Sequence, residues 1–323
     1  MIITRTPLRI SLGGGGTDLP QYYRASSGGF LVAAAISKYV FIAVNQNFDD
    51  SILLKYSDIE RVWQPDEIRH PLFRESLDVT GVSRRVEVSA MADIPAGTGL
   101  GSSGTFTVGL LRALHAYNHE AVTNLQLAEE ACAVELERLR EPIGKQDQYI
   151  AAVGGIRAFA FNPDDSVEMV PIKMSPTTRF QLEDNLLLFY TGIRRSASEV
   201  LAIESTRGVS LTDNLDAVKQ MGKEAHAALE SDDPQHFGTM LTKQWDLKLE
   251  RAPTELHRRI DQWIRTGLDT GAAGAKLVGA GDGGFLLFYA EDKADLRAAM
   301  SELGLDEVRF RIDYEGSTTI VAQ

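Results

Sequence analysis

The chain has one cysteine, Cys132, among its 323 residues. A single thiol cannot build an intrachain disulfide framework or a cysteine-based zinc site. Positive charge is also scarce: 33 Lys and Arg face 45 Asp and Glu, for a formal net charge of −12. Binding a nucleic-acid backbone needs clustered cations that displace counterions. No nucleic-acid partner is therefore expected, and any anion site must be a local pocket. Long hydrophobic runs are missing, with nothing near the roughly 20 apolar residues that span a bilayer, so no membrane partner is expected. Residues Met1 to Pro7 carry neither the basic segment nor the apolar core of a secretory signal, and the expected location is cytoplasmic. Hydrophobic residues at 44% and charged residues at 24% are ordinary for a soluble globular chain. The length suits two domains or one large one.

Common catalytic signatures are absent as well. There is no Gly-x-x-x-x-Gly-Lys-Ser/Thr loop, no His-Arg-Asp or Asp-Phe-Gly of protein kinases, and no Gly-x-Ser-x-Gly elbow. His115 and His119 lie four apart without a glutamate beside the first, so they are not a zinc-protease motif and read as surface or helix-end residues. Gly279-x-Gly281-x-x-Gly284 matches the dinucleotide fingerprint by letter. Phe285 to Tyr289 after it reads as a strand, however, where that fingerprint needs a helix.

What the chain does have is glycine in runs. In Pro95-Ala96-Gly97-Thr98-Gly99-Leu100-Gly101-Ser102-Ser103-Gly104, three glycines alternate with other residues and two serines follow. An alternating strand, Arg85 to Ser89, precedes the run, and Phe106, Leu110, Leu111, Leu114 and Tyr117 follow at helical spacing. The stretch reads as strand, glycine loop, helix N-terminus. Glycines let backbone approach a ligand closely, and unpaired first-turn N–H groups carry the positive end of the helix dipole. Together they form a site suited to phosphate. A second run, Gly13 to Gly16, sits between Arg9 and Asp18 and reads as a ligand-lining loop.

Along the chain, strands are expected at 2–6, Lys38–Phe48, Ile52–Tyr56, Ile156–Phe161, Val167–Ile172, Leu186–Tyr190 and Phe285–Tyr289, with Val308, Phe310 and Ile312 alternating as in a strand. Residues 58–82 have no clear pattern. Thr123 and Gln126 have capping-box spacing and open a helix with the stripe Ala128, Ala131, Cys132, Leu136, Leu139. Glu135 points with that stripe and Glu137 away from it. A carboxylate on a core-facing stripe needs a metal ion, an arginine or donors, unless it lies at the stripe's edge and reaches solvent. Helices are also expected through Val218–Leu229, Phe237–Trp245, Leu256–Leu268 and 292–303. The order of elements suits a second α+β unit beginning near 176.

Three segments, taken together, resemble the motifs of the GHMP kinases, the family of galactokinase, homoserine kinase, mevalonate kinase and phosphomevalonate kinase. The 95–104 run resembles the second motif. Pro7-Leu8-Arg9-Ile10 through Thr17-Asp18 looks like the first, and Ala275 to Gly284 like the third. Gly144-Lys145-Gln146-Asp147-Gln148 resembles the segment carrying the catalytic aspartate of galactokinase-like members. The resemblance implies the two-domain α+β GHMP-kinase fold, with a ribosomal protein S5 domain 2-like N-terminal domain over 1–175 and a ferredoxin-like C-terminal domain over 176–323. It also implies ATP and Mg²⁺ as cofactors and a small sugar phosphate as substrate. Pro95, Gly97, Gly99, Leu100, Gly101, Ser102, Ser103 and Gly104 would hold the ATP phosphates, and Ser103 and Glu135 the metal. Asp147 would orient the acceptor hydroxyl beside Arg9, and Gly16, Thr17, Asp18 and Gly281 would face the acceptor. Galactokinases have Glu-His where this chain has Gly15 and Gly16, so the sugar pocket differs. Gly13 to Pro20, Gly144 to Tyr149 and Phe189 to Gly192 instead look like the heptose-phosphate kinase branch. A phosphorylated acceptor needs its own anion site. Arg194 and Arg195 are the first candidates, read otherwise as a solvated basic pair, with Lys145 and Lys276 behind them.

Overall fold

The computed structural model describes residues 1–194, 210–251, 254–279 and 283–322. The expected substrate residues Arg195 and Gly281 lie outside the described residues. Among the described residues the strands form two sheets, of eight and four members. The larger is built on β1 (Ile2–Gly13) and β2 (Gly29–Gln46). β3 (Ile52–Lys55), β4 (Ile59–Val62) and β5 (Val86–Ala92) extend it in the order β1-β2-β5-β3-β4. The early half of β2, Gly29–Ala34, pairs instead with β6 (Ile156–Phe161), which carries β7 (Val167–Pro171). The smaller sheet orders β8 (Leu186–Tyr190), β9 (Gly274–Val278), β10 (Phe285–Tyr289) and β11 (Asp306–Glu307) as β11-β8-β10-β9. The last strand, β12 (Thr318–Ala322), returns to the free edge of β1.

Three expectations about strands need correction. The strand expected from Lys38 begins at Gly29. β1 does not stop at Thr6. It runs on through Pro7, with its pairing to β2 shifting between Pro7 and Leu8, and that irregularity tolerates a residue with no N–H to donate. Val308, Phe310 and Ile312 do not form a continuous strand. Val308 donates its N–H to Leu188 of the small sheet, whereas Arg311 accepts from Ser37 N–H of the large one. The segment thus passes from one sheet to the other, and its period-2 pattern reflects burial without a ladder. The unplaced 58–82 stretch folds as β4, a tight 3₁₀ turn at Pro65–Glu67 and the helix α2 (Pro71–Val79).

Helix α1 (Pro20–Tyr23) follows the first glycine run, and α3 (Ser102–Tyr117) lies directly on β1. Thr4 Oγ1 donates to the carbonyl of Gly109, where an added Cβ would come within 2.8 Å of Thr6 Oγ1. Helix α4 (Asn124–Cys132) opens with the expected capping box, Thr123 to Gln126, and runs into a π-helical turn at Ala133–Arg138. Then come α5 (Gln146–Val153), α6 (Pro176–Asn185), α7 (Ser210–Glu230), α8 (Pro234–Arg251), α9 (Glu255–Asp269) and α10 (Ala294–Glu302). Trp245 of α8 and Ile260 and Ile264 of α9 pack with Phe189, Leu277 and Phe288 of the small sheet. Among the described residues, no helix is long and apolar enough to cross a membrane.

Candidate active site

Residues from both sheets and their helices line one cavity. Arg9 and Ser11, two apart on β1, share a strand face and both point into it. Gly15, Gly16 and Asp18 come from the first glycine run, Ser103 from the first turn of α3, and Gln146 and Asp147 from the start of α5. The opposite wall is Gln244, Trp245, Lys248 and Arg251 of α8 with Lys276 of β9.

The 95–104 loop is shaped for an anion. Gly97, Gly99 and Gly101 all have positive φ, at 78°, 81° and 77°, a conformation costly to other residues. Such alternation turns successive N–H groups toward a common point. Gly101 is the N-cap of α3, and no side chain caps its first turn. The serines therefore leave the first N–H groups available. Ser102 Oγ is buried without a hydrogen-bond partner among the described residues, and Ser103 faces the cavity. Two members of the run do other work. Leu100 is fully buried in the core, and its carbonyl accepts from Arg9 N–H. Gly104 meets α5: an added Cβ would lie 2.8 Å from Asp147 Cβ and 3.1 Å from Gln148 N. Pro95 closes the loop, its carbonyl accepting from Thr98 Oγ1 at 3.0 Å.

Asp147 and Arg9 form a forked ion pair. Nε donates to Oδ1 at 2.6 Å and Nη2 to Oδ2 at 2.9 Å, while Nη1 donates to the carbonyl of Gly99 at 2.5 Å. The guanidinium thus ties the carboxylate to the glycine loop. Asp18 is buried beside this pair, accepting from Gly16 N at 3.1 Å and from the backbone and side-chain nitrogens of Gln146 at 3.1 Å. Burial raises its pKa, the charge of Asp147 adds to that, and the backbone donors oppose it. Thr17 stands apart from the cavity. It is fully buried, its hydroxyl 2.8 Å from the carbonyls of Gly14 and Phe30, and it joins the loop to β2. That correction could not be read from adjacency to Asp18, because neighbours in a turn point in different directions.

Glu135 is 1% exposed. It sits in the π-helical turn, accepts from Thr107 Oγ1 at 2.9 Å and is bonded by Gln148 Nε2. The solvent-reaching alternative for Glu135 is therefore excluded, while Glu137 is exposed as expected. Burial raises the Glu135 pKa to about 8, although Thr107 and Gln148 pull it down. Thr107 also donates to the Ser103 carbonyl at 3.0 Å, which links Glu135 to the first turn of α3. Burial penalises the Glu135 carboxylate, and a hard cation bound near the start of α3 would offset that penalty and hold the group ionised as an oxygen ligand. Among the described residues no three His, Cys, Asp or Glu could hold a metal. The remaining ligands would have to come from a nucleotide's phosphates and water.

The basic candidates separate. Arg194 does not line the cavity; its Nε donates to the carbonyl of Ala96 in the glycine loop at 3.1 Å. Lys145 turns away, with Nζ 2.9 Å from the carbonyl of Asp165. Lys276 is in the cavity wall, hydrogen-bonded to Gln244 Oε1 at 3.2 Å. Burial lowers its pKa to about 7, assisted by the charges of Lys248 and Arg9. Ser11, Lys248 and Arg251 are among the lining residues that went unnoticed in the sequence. Ser11, whose Oγ is buried without a partner among the described residues, is two places from Arg9. Lys248 and Arg251 extend the Phe237–Leu241 stripe by three- and four-residue steps, so a stripe that turns from apolar to cationic was the available signal.

The GHMP kinases N terminal domain matches residues 69–155, and the GHMP kinases C terminal domain matches 225–305. Together the two matches span just over half of the chain, with the 95–104 loop, Glu135 and Asp147 in the first. The chain belongs to the GHMP kinase family. As a GHMP kinase it is similar to D-glycero-alpha-D-manno-heptose 7-phosphate kinase of Campylobacter jejuni, 27% identical over 307 residues, which cover 90% of this chain and 89% of that protein. It is also 27% identical to L-fucokinase/L-fucose-1-P guanylyltransferase of Bacteroides fragilis, over 89% of this chain but only 34% of that one. The crystal structure of a D-glycero-D-manno-heptose 1-phosphate kinase from Bacteroides thetaiotaomicron superposes with a TM-score of 0.82 at 21% identity, covering 100% of both chains. That last likeness concerns the fold.

Proposed function

We propose that this GHMP kinase transfers the γ-phosphoryl group of ATP to the anomeric hydroxyl of D-glycero-D-manno-heptose 7-phosphate. The product is the 1,7-bisphosphate, a step toward nucleotide-activated heptose for surface glycans. The observation that carries the reading is the Arg9–Asp147 fork, held between the carbonyl of Gly99 and the Asp18 loop in one cavity. It sets a carboxylate where an anion loop and a polar acceptor pocket meet. The heptose kinase of Campylobacter jejuni, similar over nine-tenths of the chain, supports the choice of sugar.

In this reading the N–H groups of Gly97 to Ser103 hold the ATP phosphates. Ser103 and Glu135 hold Mg²⁺, which when bound neutralises charge on those phosphates. Asp147 accepts a hydrogen bond from the acceptor hydroxyl through a lone pair that Arg9 leaves free, orienting and polarising it. Arg9 offsets the negative charge that develops on the transferring group. Asp18 and the Gly16 loop contact sugar hydroxyls. The proposal includes a division at 175/176 into an ATP-binding and a C-terminal domain, with β12 returning to the first sheet, and a cytoplasmic location.

The test is ADP release with heptose 7-phosphate, unphosphorylated heptose and L-fucose as acceptors, for the wild type and Asp147→Asn. Heptose 7-phosphate should give the highest kcat/KM. The variant should lose turnover by about a thousandfold while still binding nucleotide. A wild type that prefers L-fucose, in keeping with the fucokinase relative, would replace the substrate. Near-normal turnover in the variant would remove Asp147 from the reaction.

A further inference from the structure

In a chain of net charge −12, four cations, Arg9, Lys248, Arg251 and Lys276, line a single cavity against two acids, Asp18 and Asp147, among the described residues. Arg9 is committed to Asp147 by its fork, and Lys276 is buried against Gln244. The other two cations come from the last turn of α8. Gln244, Lys248 and Arg251 are spaced four and three apart and so share one face of that helix, whereas Lys243 and Glu250 are exposed on another. The same face carries Phe237 and Leu241 into the core one and two turns earlier. A helix C-terminus favours cations on any face. It does not account for a stripe that changes from apolar to cationic where it meets a cavity.

The two cations point to different ends. Lys248 Nζ donates to the carbonyl of Gly279 at 2.8 Å. Gly279 abuts the glycine loop so closely that its added Cβ would be 2.5 Å from Gly99 Cα, which puts Lys248 on the donor side. Arg251 reaches the opposite loop. Its Nη1 lies 3.9 Å from where a Cβ on Gly16 would stand, two residues from Asp18.

We propose that Arg251 binds a phosphate carried by the acceptor itself, distinct from the group being transferred, and so selects anionic over neutral sugars. This rests on the reading of the Gly16–Asp18 side as the acceptor pocket. A planar guanidinium engages two phosphate oxygens at once, which a lysine cannot do, and Gly16, having no side chain, leaves that approach open. The anion-reading role expected of Arg194 and Arg195 thereby moves from the segment after β8 to the end of α8.

The experiment compares kcat/KM for heptose 7-phosphate and unphosphorylated heptose in wild type, Arg251→Ala and Arg251→Lys. The wild-type preference for the phosphorylated sugar should fall about 50-fold in Arg251→Ala, through KM, and partly recover in Arg251→Lys. A preference that survives in Arg251→Ala, or a loss shared equally by both sugars, overturns the proposal. A second arm is independent of which sugar is used. With a non-hydrolysable ATP analogue filling the donor loop, inorganic phosphate should raise the melting temperature of the wild type and not of Arg251→Ala. Equal protection of both overturns the proposal. If the wild type turns over neither sugar, the substrate reading fails, and the phosphate arm still decides the role of Arg251.

Discussion

Replacing Gly104 with alanine separates two uses of the glycine loop. The sequence places Gly104 at the end of a phosphate-binding run, while the structure turns it toward α5. An added Cβ would meet Asp147 Cβ at 2.8 Å, Gln148 N at 3.1 Å and Gln148 Cδ at 3.2 Å. Two of these atoms are backbone or one bond from it, so the side chain cannot simply rotate away. Reaching an ordinary contact of 3.4 Å requires α3 and α5 to part by about 0.6 Å. Such overpacking costs about 1–3 kcal/mol, of which alanine's helix propensity returns about 1 kcal/mol. The variant should therefore fold. Its chemistry should suffer more than its stability, because a displacement approaching 1 Å at a reacting group costs up to about a hundredfold in rate. The positive-φ glycines that shape the loop, Gly97, Gly99 and Gly101, are untouched. The expected outcome is a kcat about 10- to 100-fold lower, with the Kd of an ATP analogue, measured by calorimetry, within about threefold of wild type. A kcat near wild type, or a lost nucleotide affinity at unchanged kcat, would refute the assignment of Gly104 to helix approach.

Two pH-dependent predictions follow from the electrostatics. His115 lies between Glu120 and Glu130, 2.7 Å from each. Burial lowers its pKa, but the bonds to Glu130 and then Glu120 outweigh this and raise it overall. A raised histidine pKa contributes stability fully present below its unfolded value near 6.5 and lost as pH rises through the folded value. His115→Ala should therefore melt earlier than wild type by about 1 kcal/mol at pH 6, with the gap closing toward pH 9 in thermal denaturation; a gap that does not change with pH removes the charge from the explanation. Lys276, whose pKa is brought down to about 7 chiefly by burial and then by Lys248 and Arg9, should regain its proton when an anionic ligand enters. Calorimetry at pH 7.5 in buffers of different ionisation enthalpy should show uptake of a fraction of a proton on ligand binding, absent in Lys276→Met; equal uptake in both proteins places the proton elsewhere.

Local patterning was legible where one element met one environment. The capping box at Thr123, the strand Leu186–Tyr190 and the helix after the 95–104 run stand where their periodicities put them. Elements that serve two environments were not. β1 continues past Pro7 because its pairing shifts there. Residues 308–312 alternate because they cross from one sheet to the other. β12 was missed because its value lies in covering the edge of a strand some 300 residues earlier.

By itself, the sequence determined the chemistry on offer: a glycine loop at a helix start, an arginine, two aspartates and a core-facing glutamate, in the order of a known family. These are local signals, since backbone conformation and helix polarity depend on near neighbours. The tertiary structure decided which of those groups meet. It joined Arg9 to Asp147 across 138 positions, spent Thr17 on loop closure and Gly104 on helix approach, and turned Arg194 onto Ala96. It also brought Lys248 to Gly279 beside the glycine loop and Arg251 to the Gly16 loop, both from the last turn of α8. Which face of a helix looks into a cavity depends on the packing of both sheets, and no window of the chain contains that information.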